Sequence, residues 1–178
     1  MNIYFITPFP ESIKILIENN ISNQGIKKKL IDVNIVNLRD FSDNEYRKID
    51  DEPYGGGSGM VMMAEPLFKA IDYCIEKCVE KPKIIFPSPK GKILDHSISK
   101  SLSEEGSLIF ICGHYKGIDQ RVIDKYVDLE VSIGDYIISN GELSSMIIFD
   151  SIARLVPGVL NDLNSAMTDS FVDDLLDA

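Results

Sequence analysis

Cysteine and histidine are scarce in this chain. Cys74, Cys78 and Cys112 are the only cysteines among 178 residues, and His96 and His114 the only histidines. An odd number of cysteines without disulfide-like spacing gives no covalent framework, and so few histidines cannot complete a metal cluster. The residues therefore predict a reduced, cytoplasmic protein with no metal site. A targeting segment is also missing. The start, MNIYFITPFP, has no basic lead and is broken by Pro8 and Pro10 before a signal-peptide core can form. No apolar run nears the ~20 residues that a membrane-spanning helix needs. Positive charge is in short supply too: 18 Lys and Arg stand against 28 Asp and Glu, a formal net charge of −10. Affinity for nucleic acid rests on clustered Lys and Arg, so a broad basic surface is excluded. Local patches remain at Lys27, Lys28 and Lys29 and at Lys90 and Lys92, and these can coexist with an acidic total. Internal repeats are absent.

What is present is a hydrophobic content of 44%, enough to bury a core in one domain without a covalent staple. Short apolar runs rich in β-branched and aromatic residues fall at 3–7, 33–38, 83–87, 108–112 and 129–133. Such runs suit strands buried on both faces. Helical spacing lies between them. Ile13, Leu16 and Ile17 follow Pro10, and Leu67, Ala70, Ile71, Cys74, Ile75 and Cys78 give the clearest stripe. Weaker helices read at 94–104 and 118–127, and a last one at 142–155 turns Met146, Ile147 and Ile152 inward. This alternation predicts an α/β fold with a mainly parallel sheet. Two stretches break it. Residues 39–59 are polar and too long for an ordinary connection, so they are either functional or disordered. Residues 157–178 carry five Asp and no base, and read as a lid or linker.

Gly55, Gly56, Gly57 and Gly59 invite a phosphate-loop reading, but they match neither GxGxxG nor GxxxxGK and follow a loop instead of a strand. A flexible turn accounts for them. Three segments leave predicted strands: Phe86-Pro87-Ser88-Pro89, Gly113-His114-Tyr115, and Ser132 through Tyr136 to Asn140-Gly141. Open α/β sheets bind ligands beyond the carboxyl ends of their strands, so these loops are candidates for one pocket. The same prolines and glycines would also serve simply to turn the chain. Arg154, near the end of the last helix, would by default complement the helix dipole. Asp169, in TDSF, would by its neighbours be a solvated carboxylate. Asp50, Asp51 and Glu52 form a charge run that is either solvated or, beside the glycines, able to hold a substrate or cation.

Read together, these segments carry a resemblance. YGGGSGMVMM at 54–63, SPKG at 88–91, CGHYKGID at 112–119, VSIGDYIISNGEL at 131–143 and RLVPGVL at 154–160 closely resemble the TrmD family of bacterial tRNA (guanine-N1)-methyltransferases. The opening TPFPES and the closing TDSF and LLD keep the family's order. The resemblance covers essentially the whole chain. It implies a SPOUT-class fold, a mainly parallel sheet with a deep trefoil knot, in an obligate homodimer. Residues 1–160 would form the methyltransferase domain, and 161–178 a flexible lid or linker leading to a C-terminal tRNA-binding domain absent from this chain. S-adenosylmethionine would lie bent in the knot. Phe86, Pro87, Ser88 and Pro89 would supply one strand end and Gly113 and Tyr115 the next. Ser132, Ile133, Gly134, Tyr136, Ile138, Asn140 and Gly141 would wrap adenine and ribose. The loop with Asp50 and Gly59 would meet substrate at the partner subunit's cofactor.

The implied reaction is methylation of N1 of the guanosine immediately 3′ of the anticodon in tRNA. Neutral guanine N1 carries a proton and is a poor nucleophile, so a general base must remove that proton. The charge then moves to O6, where a guanidinium can stabilise it. Asp169 and Arg154 stand at the family positions for these two roles. Two other readings remain: a non-catalytic SPOUT module for dimerisation and cofactor binding, and a methyltransferase acting on another RNA.

The chain departs from the family at several positions. Where the family reads CGRYEGIDER, this chain reads CGHYKGIDQR. Lys116 replaces an acidic residue associated with magnesium dependence, which argues against a magnesium requirement. Asn140 replaces the first glycine of SGGEL, and Ser144 the proline that follows. Asn tolerates left-handed backbone, so the cofactor loop is expected to survive.

Overall fold

The structure, a computed structural model, describes residues 1–18, 22–53, 56 and 59–160. In chain order its first elements are β1 (Asn2–Thr7), α1 (Pro10–Glu18), α2 (Ser22–Lys27), β2 (Asp32–Asn37), β3 (Asp50–Asp51), β4 (Val61–Met62) and α3 (Ala64–Lys77). There follow β5 (Lys83–Ile93), α4 (His96–Ser103), β6 (Ser107–Ile111), α5 (Gln120–Tyr126), β7 (Leu129–Ser132) and α6 (Gly141–Ala153). Five strands form a sheet in the order β2-β1-β6-β5-β7, and every pair in it is parallel.

Side chains alternate across a strand, and here both directions meet a core. Ile3 and Phe5 of β1 turn to one face, where Phe110, Val131, Phe149 and Ile152 are buried with Ile13 of α1. Phe5 stacks on Phe110 at 5.1 Å between ring centroids and meets the edge of Phe149 at 5.5 Å. Tyr4 and Ile6 turn to the other face, against Leu67, Ile71 and Cys74 of α3 and Val122 of α5. Burying each such aliphatic or aromatic side chain stabilises the fold by about 1.5–3 kcal/mol. Two covered faces explain why the strands read as continuous apolar runs. The cysteines belong to this packing. Burial pushes the Cys74 thiol up to about 12, and burial with the nearby Glu142 raises that of Cys112 as well. Neither is a reactive thiolate.

The structure corrects the sequence reading in four places. α2, with the sequence SNQGIK, shows no apolar periodicity, and its buried Gly25 lies so near Ile31 and Val159 that an added Cβ would stand 2.9 Å from each. β5 continues past Pro87 to Ile93. Pro87 and Pro89 lack the amide proton a ladder needs, so the strand bulges: Pro87 and Lys92 both face Val131 of β7. Within 39–59, Leu38–Phe41 forms a 3-10 turn, and β3 pairs antiparallel with β4 through Asp50 to Met62. Ile49 and Met62 are both fully buried there, so this part of the long connection is anchored by the core. Finally, Ile147 of α6 is 46% exposed and does not point inward.

No helix among the described residues is long and apolar enough to cross a membrane. The feature that matters for function is shared direction. In a parallel sheet the segments following β5, β6 and β7 all leave the same edge, and these three strands are neighbours.

Candidate active site

Residues in the middle of β5, together with those that follow β6 and β7, line one cavity of about 380 Å³, within the usual range for small-molecule sites. Every residue expected to hold the cofactor lines it: Phe86 to Pro89, Gly113, Tyr115, Ser132 to Gly134, Tyr136, Ile138, Asn140 and Gly141. The loops are locked to one another by backbone. The Gly141 amide donates to the Gly113 carbonyl at 2.8 Å. A Cβ on Gly141 would stand 2.3 Å from the Gly113 nitrogen and 2.7 Å from the Cys112 carbonyl carbon, which no side chain tolerates. Glycine is therefore required at 141 by close approach of two main chains.

Polar side chains of the lining shape the loops. Ser132 Oγ accepts from the Gly134 amide at 3.2 Å, Ser144 Oγ donates to the Gly141 carbonyl at 3.0 Å, and the Tyr136 hydroxyl donates to the Ile133 carbonyl at 3.0 Å. The Tyr136 ring lies against Gly134, whose φ of 134° only glycine adopts readily. Asn140 has φ −154° and ψ 158°, and its side chain accepts from the Leu143 amide at 3.1 Å. It is the N-cap of α6. The expected left-handed backbone at this position is thus replaced by an extended one, and the substitution works because Asn is among the best N-cap residues.

The loop after β6 is held from its other side. Lys116 donates its amide to the Met60 carbonyl, Met62 to Gly117 and Asp119 to Met62, each at 3.0 Å. These bonds support Tyr115, whose φ of 59° is left-handed and costs about 1–2 kcal/mol outside glycine. His114 and Glu142 were not assigned roles from sequence, yet they meet. His114 Nε2 lies 2.7 Å from Glu142 Oε2, and Glu142 is 1% exposed. The Thr7 hydroxyl donates to the other carboxylate oxygen, and Thr7 Oγ1 accepts from the Phe9 amide at 2.9 Å. Burying a carboxylate is costly unless it is paired and hydrogen-bonded. Here it ties the end of β1, the loop after β6 and the start of α6 together.

The remaining expected residues lie elsewhere. Arg154 is the C-cap of α6, exposed, at the opposite end of the helix from Asn140. Thirteen residues of helix span about 20 Å, so Arg154 does not reach the cavity of its own chain. Asp50 sits in β3 outside the cavity lining. Gly59 packs under the Lys116 side chain, a Cβ there lying 2.8 Å from Lys116 Cε. Asp169 and the whole 161–178 segment lie outside the described residues. Among the described residues, no group of three or more His, Cys, Asp and Glu is placed to hold a metal ion.

A parallel α/β sheet with a ligand-sized cavity built from three adjacent strands defines the class, an α/β protein with a candidate small-molecule site. Its relatives narrow that class. A family model described as tRNA (Guanine-1)-methyltransferase TrmD matches residues 1–178, and the chain belongs to this family. It is 43% identical over 172 residues to a tRNA (guanine-N(1)-)-methyltransferase of Ruminiclostridium cellulolyticum, covering 97% of this chain and 74% of that protein. A protein of the same name from Methylacidiphilum infernorum is 45% identical over 177 residues, covering 99% and 76%. The crystal structure of tRNA (m1G37) methyltransferase from Aquifex aeolicus superposes with a TM-score of 0.83 at 38% identity, covering 91% of this chain and 72% of that one.

Proposed function

We propose that this chain methylates N1 of the guanosine 3′ of the anticodon in tRNA, with S-adenosylmethionine as donor. The observation that carries the reading is the convergence of three motif-bearing segments, from β5 and from the ends of β6 and β7, on one cavity, in a chain belonging to the TrmD family. The cavity fits the donor by chemistry. Phe86, Tyr136 and Ile138 offer apolar surface for an adenine, while Gly113, Gly134 and Gly141 add no side-chain bulk to the lining. When bound, S-adenosylmethionine supplies an electrophilic methyl group. The chain's own task is to hold the guanine and move its proton: Asp169 takes the proton from N1, and the Arg154 guanidinium stabilises charge gathering on O6.

The reading includes the knotted SPOUT sheet and a homodimer. The position of Arg154 supports the dimer. Leu143 and Ile147 are 41% and 46% exposed on the same stripe of α6 as Arg154, four and eleven residues from Leu143. Phe9, 47% exposed, lies at the head of α1, which packs against α6. A second copy covering this apolar stripe would bring Arg154 to a cavity that is not its own.

The test is transfer of a labelled methyl group to tRNA bearing guanosine after the anticodon. Product at N1 of that guanosine is expected; absence of transfer at high enzyme concentration, despite donor binding, would refute the reading. Asp169→Asn should abolish transfer, a loss of at least about 10²-fold, while donor affinity stays within about twofold. Equal loss of binding would remove Asp169 from its role.

A further inference from the structure

One of the segments lining the cavity that we read as the donor site is conformationally expensive. After β6, Tyr115 and Gly117 have φ of 59° and 129°, and a residue other than glycine keeps such backbone only where its surroundings over-determine it. Both residues line the cavity. Whatever holds this segment therefore decides how much of the time the cavity has its binding shape.

Much of that hold comes from Met62, which is fully buried and lies outside the lining. Its amide donates to the Gly117 carbonyl and its carbonyl accepts from the Asp119 amide, each at 3.0 Å. Its Sδ accepts from the His114 amide at 3.1 Å. A thioether sulfur is a weak acceptor, but a backbone N–H kept from water is costly to leave unpaired, and this bond is part-buried. The other side of Met62 belongs to a different segment. Met62 pairs with Asp50 across β3 and β4, and the Met63 amide donates to the Ile49 carbonyl at 2.8 Å. β4 is two residues long, and a ribbon so short is not stable by itself. Met62 thus links the cavity segment to the hairpin that carries Asp50, and each supports the other.

We infer that Met62 is a positioning residue of the donor site: it sets the 114–119 segment from the β3–β4 hairpin, so that donor occupancy and order in the hairpin are coupled. The inference rests on the proposed donor site. Such coupling is reciprocal. A donor that needs the formed segment stabilises the hairpin, and loosening the hairpin lowers the fraction of chains able to bind, weakening the donor by that factor. Asp50, outside the cavity lining, thereby enters the binding equilibrium.

Amide exchange followed by NMR on the full chain, with and without saturating S-adenosylhomocysteine, tests this on the wild type. Met63 does not line the cavity, yet exchange of its amide should slow about fivefold or more, the low end of measured couplings. An unchanged Met63 rate in the saturated chain overturns the coupling. Met62→Leu conserves volume and both main-chain bonds while removing the sulfur. It is expected to speed exchange of the His114 amide and to weaken S-adenosylhomocysteine about fivefold by calorimetry, the worth of one hydrogen bond. Met146→Leu makes the same swap at a buried position of α6 outside the lining, and its affinity should stay that of the wild type. Unaltered affinity in Met62→Leu, or an equal loss in Met146→Leu, reduces Met62 to core packing and overturns the assignment. If the wild-type chain does not bind S-adenosylhomocysteine, the donor site itself falls, and this inference with it; binding with an unresponsive Met63 amide removes the inference alone.

Discussion

Individual residues decide whether the three loops can meet. At Gly141 two main chains pass with no room for a methyl group, so Gly141→Ala must push them apart. The cost of such overpacking is about 1–3 kcal/mol, visible as a lower urea midpoint, and S-adenosylhomocysteine binding should fall with it. A variant with unchanged midpoint and binding would show that the approach is looser than these distances. His114 and Glu142 show the opposite economy. Each is unremarkable in sequence, but together with Thr7 they satisfy a carboxylate that is 1% exposed. Nothing in the spacing of residues 7, 114 and 142 announces that contact. It exists because β1, which ends at Thr7, pairs with β6, and the segment after β6 bonds at Gly113 to Gly141, the first residue of α6.

At the scale of elements, helix starts do much of the positioning. Asn140 caps α6 and at the same time lines the cavity. Asn140→Ala should cost about 1 kcal/mol, whereas Asn140→Gly, which restores the residue usual in the family, should cost only a few tenths. Urea unfolding of the two variants distinguishes a cap from a residue chosen for left-handed backbone. Asp119 caps α5 by accepting from the Arg121 amide at 2.9 Å. The Arg121 side chain, 2.7 Å away, together with that amide, holds the Asp119 carboxyl below the usual carboxylate range. A depressed folded-state value means stabilisation that is complete above the unfolded value near about 4 and is lost as pH falls through the folded one. Asp119→Asn keeps a capping side chain, so its stability should depend less steeply on pH below about 4. Urea midpoints measured from neutral pH to pH 3 check this; an unaltered acid limb would assign the dependence to other groups.

At the scale of the whole molecule, the separation of Arg154 from the cavity is the most consequential fact. One α6 length of about 20 Å divides the guanidinium proposed to act in the reaction from the loops proposed to hold the donor. If a partner subunit closes that gap, defects should complement. Gly134→Val disables the cavity, since a side chain there would meet the Tyr136 ring at 2.6 Å, and Arg154→Ala removes the guanidinium. Each homodimer should be inactive. Subunits exchanged between them should regain transfer to about a quarter of the wild-type rate, because half the dimers are mixed under random exchange and each mixed dimer has one intact site of two. Zero recovery in demonstrated mixed dimers would place Arg154 at its own cavity and refute the composite site.

Much of this was legible in the residues themselves. Five continuous apolar runs mark the five strands of the main sheet, since only a sheet covered on both faces spares its strands from alternating. The glycines, prolines and serines after three of them mark the cavity loops, because turning a chain sharply and leaving main chain bare need those residue types. Sequence could not show the bulge in β5, the pairing of His114 with Glu142 or the outward face of Ile147. Each depends on which neighbour arrives from elsewhere in the chain. Local chemistry determined the strands, the turns and the family; only the tertiary structure decided which loops share a cavity and which end of α6 stands away from it, because distance through space is set by packing and not by order along the chain.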